Sequence, residues 1–326
     1  MSCPECFSGS VHNHLGEAKG AIETLHGLEC YIALPPTPSS SNPPATKRPP
    51  STIIYLTDGF GLSLINNLIL CDQLAASTGL RVLAPAYLPS TPLSVAVMPL
   101  MDDLLTTKIP WWNLWAQLIR IVLVIRILAL GLPFTICCRF PKGHVIALAF
   151  ARAVRRDLEP GAKLGVAGFC WGGYSATLLC GETAVDGGDR SGSGNDDGGK
   201  RLIDASFVGH PSGLKVPRMI VDAVSTFHTP YSMAIGDRDM LVGEQKALEV
   251  EAQLRRSLET EGLGEGKAES GRKALSEDED PGAYQVQIYK GCSHGFVVRA
   301  APNNPAEVKG MHEAREQAVR WFNKYL

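Results

Sequence analysis

The chain has 326 residues, of which 45% are hydrophobic and 20% charged; this excludes a disordered or collagen-like chain and supplies a sizeable core. Lysine plus arginine (31) nearly balances aspartate plus glutamate (33), giving a net charge of −2. That balance leaves no basic footprint of the kind nucleic acid binding needs.

Residues 1–27 read as an N-terminal extension. They lack a cationic start followed by an apolar run, so no secretory signal is expected. The nine cysteines, an odd number in a long chain, do not read as a disulfide scaffold. The expectation is therefore a reducing, cytoplasmic setting with free thiols, where a cysteine nucleophile is chemically plausible. Cys3, Cys6, His12 and His14 are ligand types that suit zinc, but they are spaced more tightly than finger patterns, and no metal is expected.

A first strand is predicted at Cys30–Leu34. The proline-rich segment 35–50 then reads as an exposed connector. Further strands are predicted at Thr52–Leu56, Arg81–Ala84, Lys163–Ala167, Leu202–Val208, Tyr231–Ile235 and Tyr284–Tyr289. Several are almost wholly apolar, as expected when both faces of a sheet are covered. Helices are predicted at Leu62–Ser77, Gly143–Asp157, Gly172–Leu179, Gly243–Leu258 and Pro305–Lys324. The polar segments 186–200 and 257–282 read as surface insertions. This alternation predicts one α/β domain with a mostly parallel central sheet and helices on both faces.

Segment 111–138 approaches membrane-spanning length. Arg120 and Arg126 lie inside it and cost about +2.5 to +3.5 kcal/mol each near mid-helix, which offsets roughly a dozen apolar residues at about −0.3 to −0.6 each. Insertion is not favoured on that sum. The expectation is an apolar helix or lid packed on the domain, with membrane contact the alternative.

The chemical signal is Gly168-Phe169-Cys170-Trp171-Gly172-Gly173, between an apolar strand and a helix-compatible run. It is the G-x-nucleophile-x-G elbow with cysteine as the nucleophile. The turn needs small residues two before and two after Cys170. It also sets the thiol at a helix N-terminus, where the dipole favours a thiolate, and makes the Trp171 N–H an oxyanion donor. The alternative is a buried cysteine in a glycine-rich turn. His294 follows the last predicted strand and is the candidate base; His210 and His228 compete. Asp239 follows the strand Tyr231–Ile235 and is the candidate orienting acid, with Asp237 its competitor. The order nucleophile, acid, histidine is that of an α/β-hydrolase.

Together, GFCWGG, GDRD and SHGFVVR resemble the dienelactone hydrolase family, especially its fungal members. CPECFSGSVH, HGLECYIALPP, YLTDGFG, VGHPS and HTPYSMAIGDRD fit the same pattern. The resemblance implies an α/β-hydrolase fold and a carboxylic-ester hydrolase of the carboxymethylenebutenolidase type. It makes Cys170 the nucleophile, Asp239 the triad acid and His294 the base, with no metal or organic cofactor. It also implies a second oxyanion N–H at Gly59, and a carboxylate at Asp58 that pairs with Arg299. The family generally has glutamate at the Asp58 position; otherwise Asp58 reads as a turn residue and Arg299 as a surface charge. The loop Pro85–Pro99 contains no arginine or lysine, unlike family members that bind small anionic lactones. With the apolar run 111–138, that favours a larger or more apolar ester, lactone or thioester. The expected partner is such a small molecule, for a monomer or homodimer. The competing readings are a non-catalytic ligand- or membrane-binding protein on the same scaffold, and an acyl transferase or cyclase.

Overall fold

The computed structural model describes residues 9–11, 16–36, 50–107, 110–185, 199–260 and 283–326. Cys3, Cys6, His12 and His14 lie outside the described residues, as do most of the segments read as a connector (35–50) and insertions (186–200, 257–282).

Eight strands form one sheet. They are β1 (Ala21–Leu25), β2 (Leu28–Ala33), β3 (Thr52–Leu56), β4 (Arg81–Pro85), β5 (Leu164–Phe169), β6 (Ala205–Gly209), β7 (Tyr231–Gly236) and β8 (Tyr284–Tyr289). Their spatial order is β1-β2-β4-β3-β5-β6-β7-β8. The β1–β2 and β2–β4 pairs are antiparallel and the other pairs parallel. The parallel run puts the carboxyl ends of β3, β5, β6, β7 and β8 on one edge, where ligand sites of open α/β sheets form.

Strands β3, β5, β6 and β7 are buried at every position, which explains their unbroken apolar sequences. Two glycines of β5 show that helices cover both faces. A Cβ on Gly165 would meet Phe322 and Leu326 at the C-terminal end of the chain, whereas one on Gly168 would meet Ala176. Side chains alternate along a strand, so these two helical segments lie on opposite faces.

The helices are α1 (Ile65–Thr78), α2 (Val97–Thr106), α3 (Leu114–Cys137), α4 (Phe140–Asp157), α5 (Trp171–Leu178), α6 (Arg218–Ser225), α7 (Glu244–Thr260), α8 (Phe296–Arg299) and α9 (Pro305–Tyr325). Local chemistry sets their ends. Asn304 caps α9 by accepting from the N–H groups of Ala306 and Glu307, with Pro305 opening the first turn. Gly79, at φ 69°, closes α1 in the left-handed conformation.

The structure adds to the sequence reading at two places and details a third. The extension 1–27 contains a strand, β1, joined to β2 through His26 (φ 50°) and Gly27 (φ 79°). Two successive positive φ values are those of a tight hairpin turn. Because β1 is an edge strand with its first four residues exposed, it lacks the apolar signal of the central strands. Helices α2, α6 and α8, of 10, 8 and 4 residues, were not expected. Segment 111–138 does form a helix, α3, which packs on α2, but only Ile127, Gly131 and Phe134 are buried along its length.

Candidate active site

Cys170 sits between the end of β5 and the start of α5, with φ 50° and ψ −110°. A non-glycine residue rarely adopts such angles, and surrounding packing must hold it there. The flanking glycines show that packing. A Cβ on Gly168 would lie 2.4 Å from the Ala176 Cβ, and one on Gly172 would lie 2.1 Å from the Leu56 carbonyl oxygen. The elbow is thus wedged against its own helix on one side and the end of β3 on the other.

His294 follows β8 and Asp239 follows β7, so each reaches the elbow from the end of a parallel strand. The Cys170 Sγ lies 3.2 Å from His294 Nε2, and His294 Nδ1 lies 2.9 Å from Asp239 Oδ2. The imidazole and carboxylate side chains are both fully buried. Asp239 Oδ1 accepts from the backbone N–H groups of Leu241 (2.8 Å) and Val242 (3.2 Å), which fixes the carboxylate. Asp237, its competitor, instead accepts the Gly291 N–H at 2.7 Å and serves a turn.

The competing histidines sit in other surroundings. His228 Nδ1 lies 3.1 Å from the Tyr284 hydroxyl. His210 is buried edge-on to His294, with ring centroids 5.0 Å apart, and neither of its ring nitrogens has a hydrogen-bond partner among the described residues. Burial, with His294 and Arg299 nearby, pushes its pKa well below the usual histidine range.

Asp58 and Arg299 form a buried ion pair, as the resemblance implies, and so are neither a simple turn residue nor a surface charge. Asp58 Oδ1 also accepts from the Phe60 N–H (3.1 Å) and Asn67 Nδ2 (2.9 Å). Burial drives the Asp58 carboxyl above its ordinary range, Arg299 opposes that shift, and the nearby Cys170 adds to it. The guanidinium also lies 5.1 Å over the Phe60 ring.

Trp171 stacks on Phe140 at 5.1 Å and tilts against Tyr87 at 5.5 Å. Gly143 of α4 makes room for it, since a Cβ there would lie 2.1 Å from the indole. Gly59 lies just beyond β3, and the Phe134 ring from α3 stands over it, 2.9 Å from where a Cβ would be. The C-terminal part of α3 therefore roofs the position expected to supply the second oxyanion donor.

Residues that sequence reasoning missed complete the site. Ser212, from the loop after β6, places its Oγ 3.4 Å from Cys170 Sγ and 3.3 Å from His294 Nε2. Its backbone N–H donates to the Cys170 carbonyl at 2.9 Å. The sequence offered only a weak signal for it, its place in the loop three residues beyond the end of β6. Asn67 ties Asp58 to Tyr55 and Gly61. Among the described residues, no three His, Cys, Asp or Glu side chains cluster as a metal site.

No family model matches the chain. The hydrolase pyvD of Aspergillus violaceofuscus is 24% identical over 326 residues, covering 98% of this chain and 96% of that protein. The hydrolase tropI of Talaromyces stipitatus is 46% identical over a short segment of 43 residues, 13% of this chain and 17% of that one. Among solved structures, a protein from Klebsiella pneumoniae provisionally described as a dienelactone hydrolase superposes with a TM-score of 0.51 at 15% identity, covering 95% and 98% of the two chains. The propionate-bound esterase Est2 of Thermogutta terrifontis gives 0.46 at 16% identity over 94% and 95%. The fold is that of the α/β-hydrolases, with motifs that resemble the dienelactone hydrolase family, and the chain is related over nearly its whole length to a fungal hydrolase.

Proposed function

We propose that the protein hydrolyses an ester or lactone through a cysteine nucleophile. The observation that carries this reading is the unbroken run from Asp239 to His294 to Cys170, with contacts of 2.9 and 3.2 Å between buried side chains. His294 takes the proton from the Cys170 thiol, and Asp239 holds the ring so that Nε2 faces the sulfur. The thiolate attacks the substrate carbonyl, forming a C–S bond while the carbonyl oxygen becomes an oxyanion. The Trp171 and Gly59 N–H groups are the donors proposed for that charge. The tetrahedral adduct collapses, the C–O bond breaks, and His294 returns the proton to the departing alkoxide. Water then attacks the acyl-thioester, forming a C–O bond and giving a proton to His294; the C–S bond breaks, the carboxylic acid leaves, and His294 returns the proton to the thiolate.

Tyr87 and Phe140 pack on Trp171, and Phe134 on Gly59, which supports an apolar substrate over a small anionic lactone. A reducing, cytoplasmic compartment, where the Cys170 thiol stays available as a nucleophile, belongs to this reading.

The test is a panel of aryl esters, lactones and thioesters assayed on wild type and Cys170→Ala. The variant should fold normally and lose roughly 10⁴-fold or more in turnover. Unchanged ester hydrolysis by Cys170→Ala would remove the thiol from the reaction.

A further inference from the structure

Helix α3 presents a broad apolar face that the domain leaves uncovered. Leu114, Leu118, Ile121, Ile125, Leu128 and Leu132 are each more than half exposed. Their spacing of four and three residues sets them in one stripe, about 27 Å long at the α-helical rise. No charged residue interrupts it. Monomeric proteins rarely expose a continuous apolar patch of more than a few hundred Å² without a use for it.

Two independent features say what covers this stripe. At its N-terminal end, Trp111, Trp112 and Trp115 are 80%, 67% and 73% exposed. Tryptophan favours the headgroup level of a bilayer, where its ring is half in hydrocarbon and its N–H is in water. The second feature is charge. None of the chain's 33 acidic residues falls between Asp103 and Asp157, whereas eight lysines and arginines do. Arg126 borders the stripe, and Arg139 and Lys142 follow its C-terminal end. All three are exposed, with no carboxylate in ion-pair contact among the described residues. A surface that is greasy, tryptophan-tipped and purely cationic suits anionic lipid. Two copies meeting through the same face would bring like charges together.

We propose that the outer face of α3 lies flat in the interfacial layer of an anionic phospholipid bilayer. By length and composition α3 is able to cross a membrane. However, Ile127, Gly131 and Phe134 hold its second half against the domain, so it lies along the surface and does not project from it. Because the inner-face residue Phe134 stands over Gly59, docking places α3 between the lipid surface and the candidate site. The docking itself does not depend on the hydrolase reading.

The test is flotation of the full chain with vesicles of phosphatidylcholine alone and of phosphatidylcholine mixed with phosphatidylserine. The expected result is flotation with the mixed vesicles, weakened by salt. Ile125→Asp with Leu128→Asp should abolish it while leaving hydrolysis of a water-soluble ester unchanged. Arg139→Gln and Lys142→Gln should each lower affinity about fivefold. Cys170→Ala should float as wild type does, which separates docking from catalysis. A wild-type chain that stays down with both vesicle types overturns the proposal. Equal flotation with neutral vesicles overturns the assignment to anionic lipid. A wild-type dimer that does not float, and that the Asp double variant converts to monomer, assigns the face to a second copy.

Discussion

At the scale of single residues, His210 ties stability to pH. Its imidazole is buried and its folded-state pKa is pushed well down, so it stays neutral in the native protein. In the unfolded chain an ordinary histidine takes up a proton below about pH 6.5. The unfolded state then binds more protons than the folded state, and stability falls as the pH drops below that value. The expected slope from this residue is about 1.4 kcal/mol per pH unit. Urea unfolding between neutral and mildly acidic pH should show wild type losing stability more steeply than His210→Phe by that amount. Parallel curves would assign the acid sensitivity elsewhere. That Cys170, Asp239 and His294 meet was legible in the sequence because each lies in the turn or loop after a parallel strand and the first sits in a glycine-bounded elbow. Ser212 was not legible as a site residue: its partners are 42 and 82 positions away, and serine in a Pro-Ser-Gly turn has an ordinary local reading.

Between elements, the Asp58–Arg299 pair ties the end of β3 to α8, linking the loop that carries Gly59 to the one that carries His294. Both side chains are buried, so removing one partner strands the other charge. Arg299→Met should therefore cost about 3–5 kcal/mol, and adding Asp58→Asn should restore much of that loss. Denaturant midpoints of the two single variants and the double variant measure it; additive losses would show that the pairing itself contributes little. The central strands and long helices were legible because each carries a strong apolar period or run. The edge strand β1 and the short helices α2, α6 and α8 carried too few such positions. Residues 111–138 announced a helix, yet their composition did not say which face meets protein. Ile127, Gly131 and Phe134, which are buried, repeat at the same four- and three-residue spacing as the exposed leucines and isoleucines.

Across the whole molecule, strand order assembles the site. Cys170 and His294 are 124 positions apart, yet β5 and β8 end on the same edge of the sheet, with Asp239 in the loop after β7 beside them. Alternating strands and helices made the fold class legible. The antiparallel start of the sheet was not, because it depends on a hairpin in which His26 takes a conformation usually left to glycine or asparagine. The five tryptophans are divided by the same architecture. Trp111, Trp112 and Trp115 face solvent, whereas Trp171 and Trp321 are almost wholly enclosed. The intrinsic fluorescence should accordingly contain two populations, one open to acrylamide quenching and the other shielded until the chain unfolds. A single uniformly quenched population would contradict that division. A covalent adduct on Cys170 would perturb the shielded emission through the neighbouring indole, while contact at α3 would change only the quenchable part. The protein thus carries separate native optical probes for its catalytic elbow and for its greasy helix, with no label required.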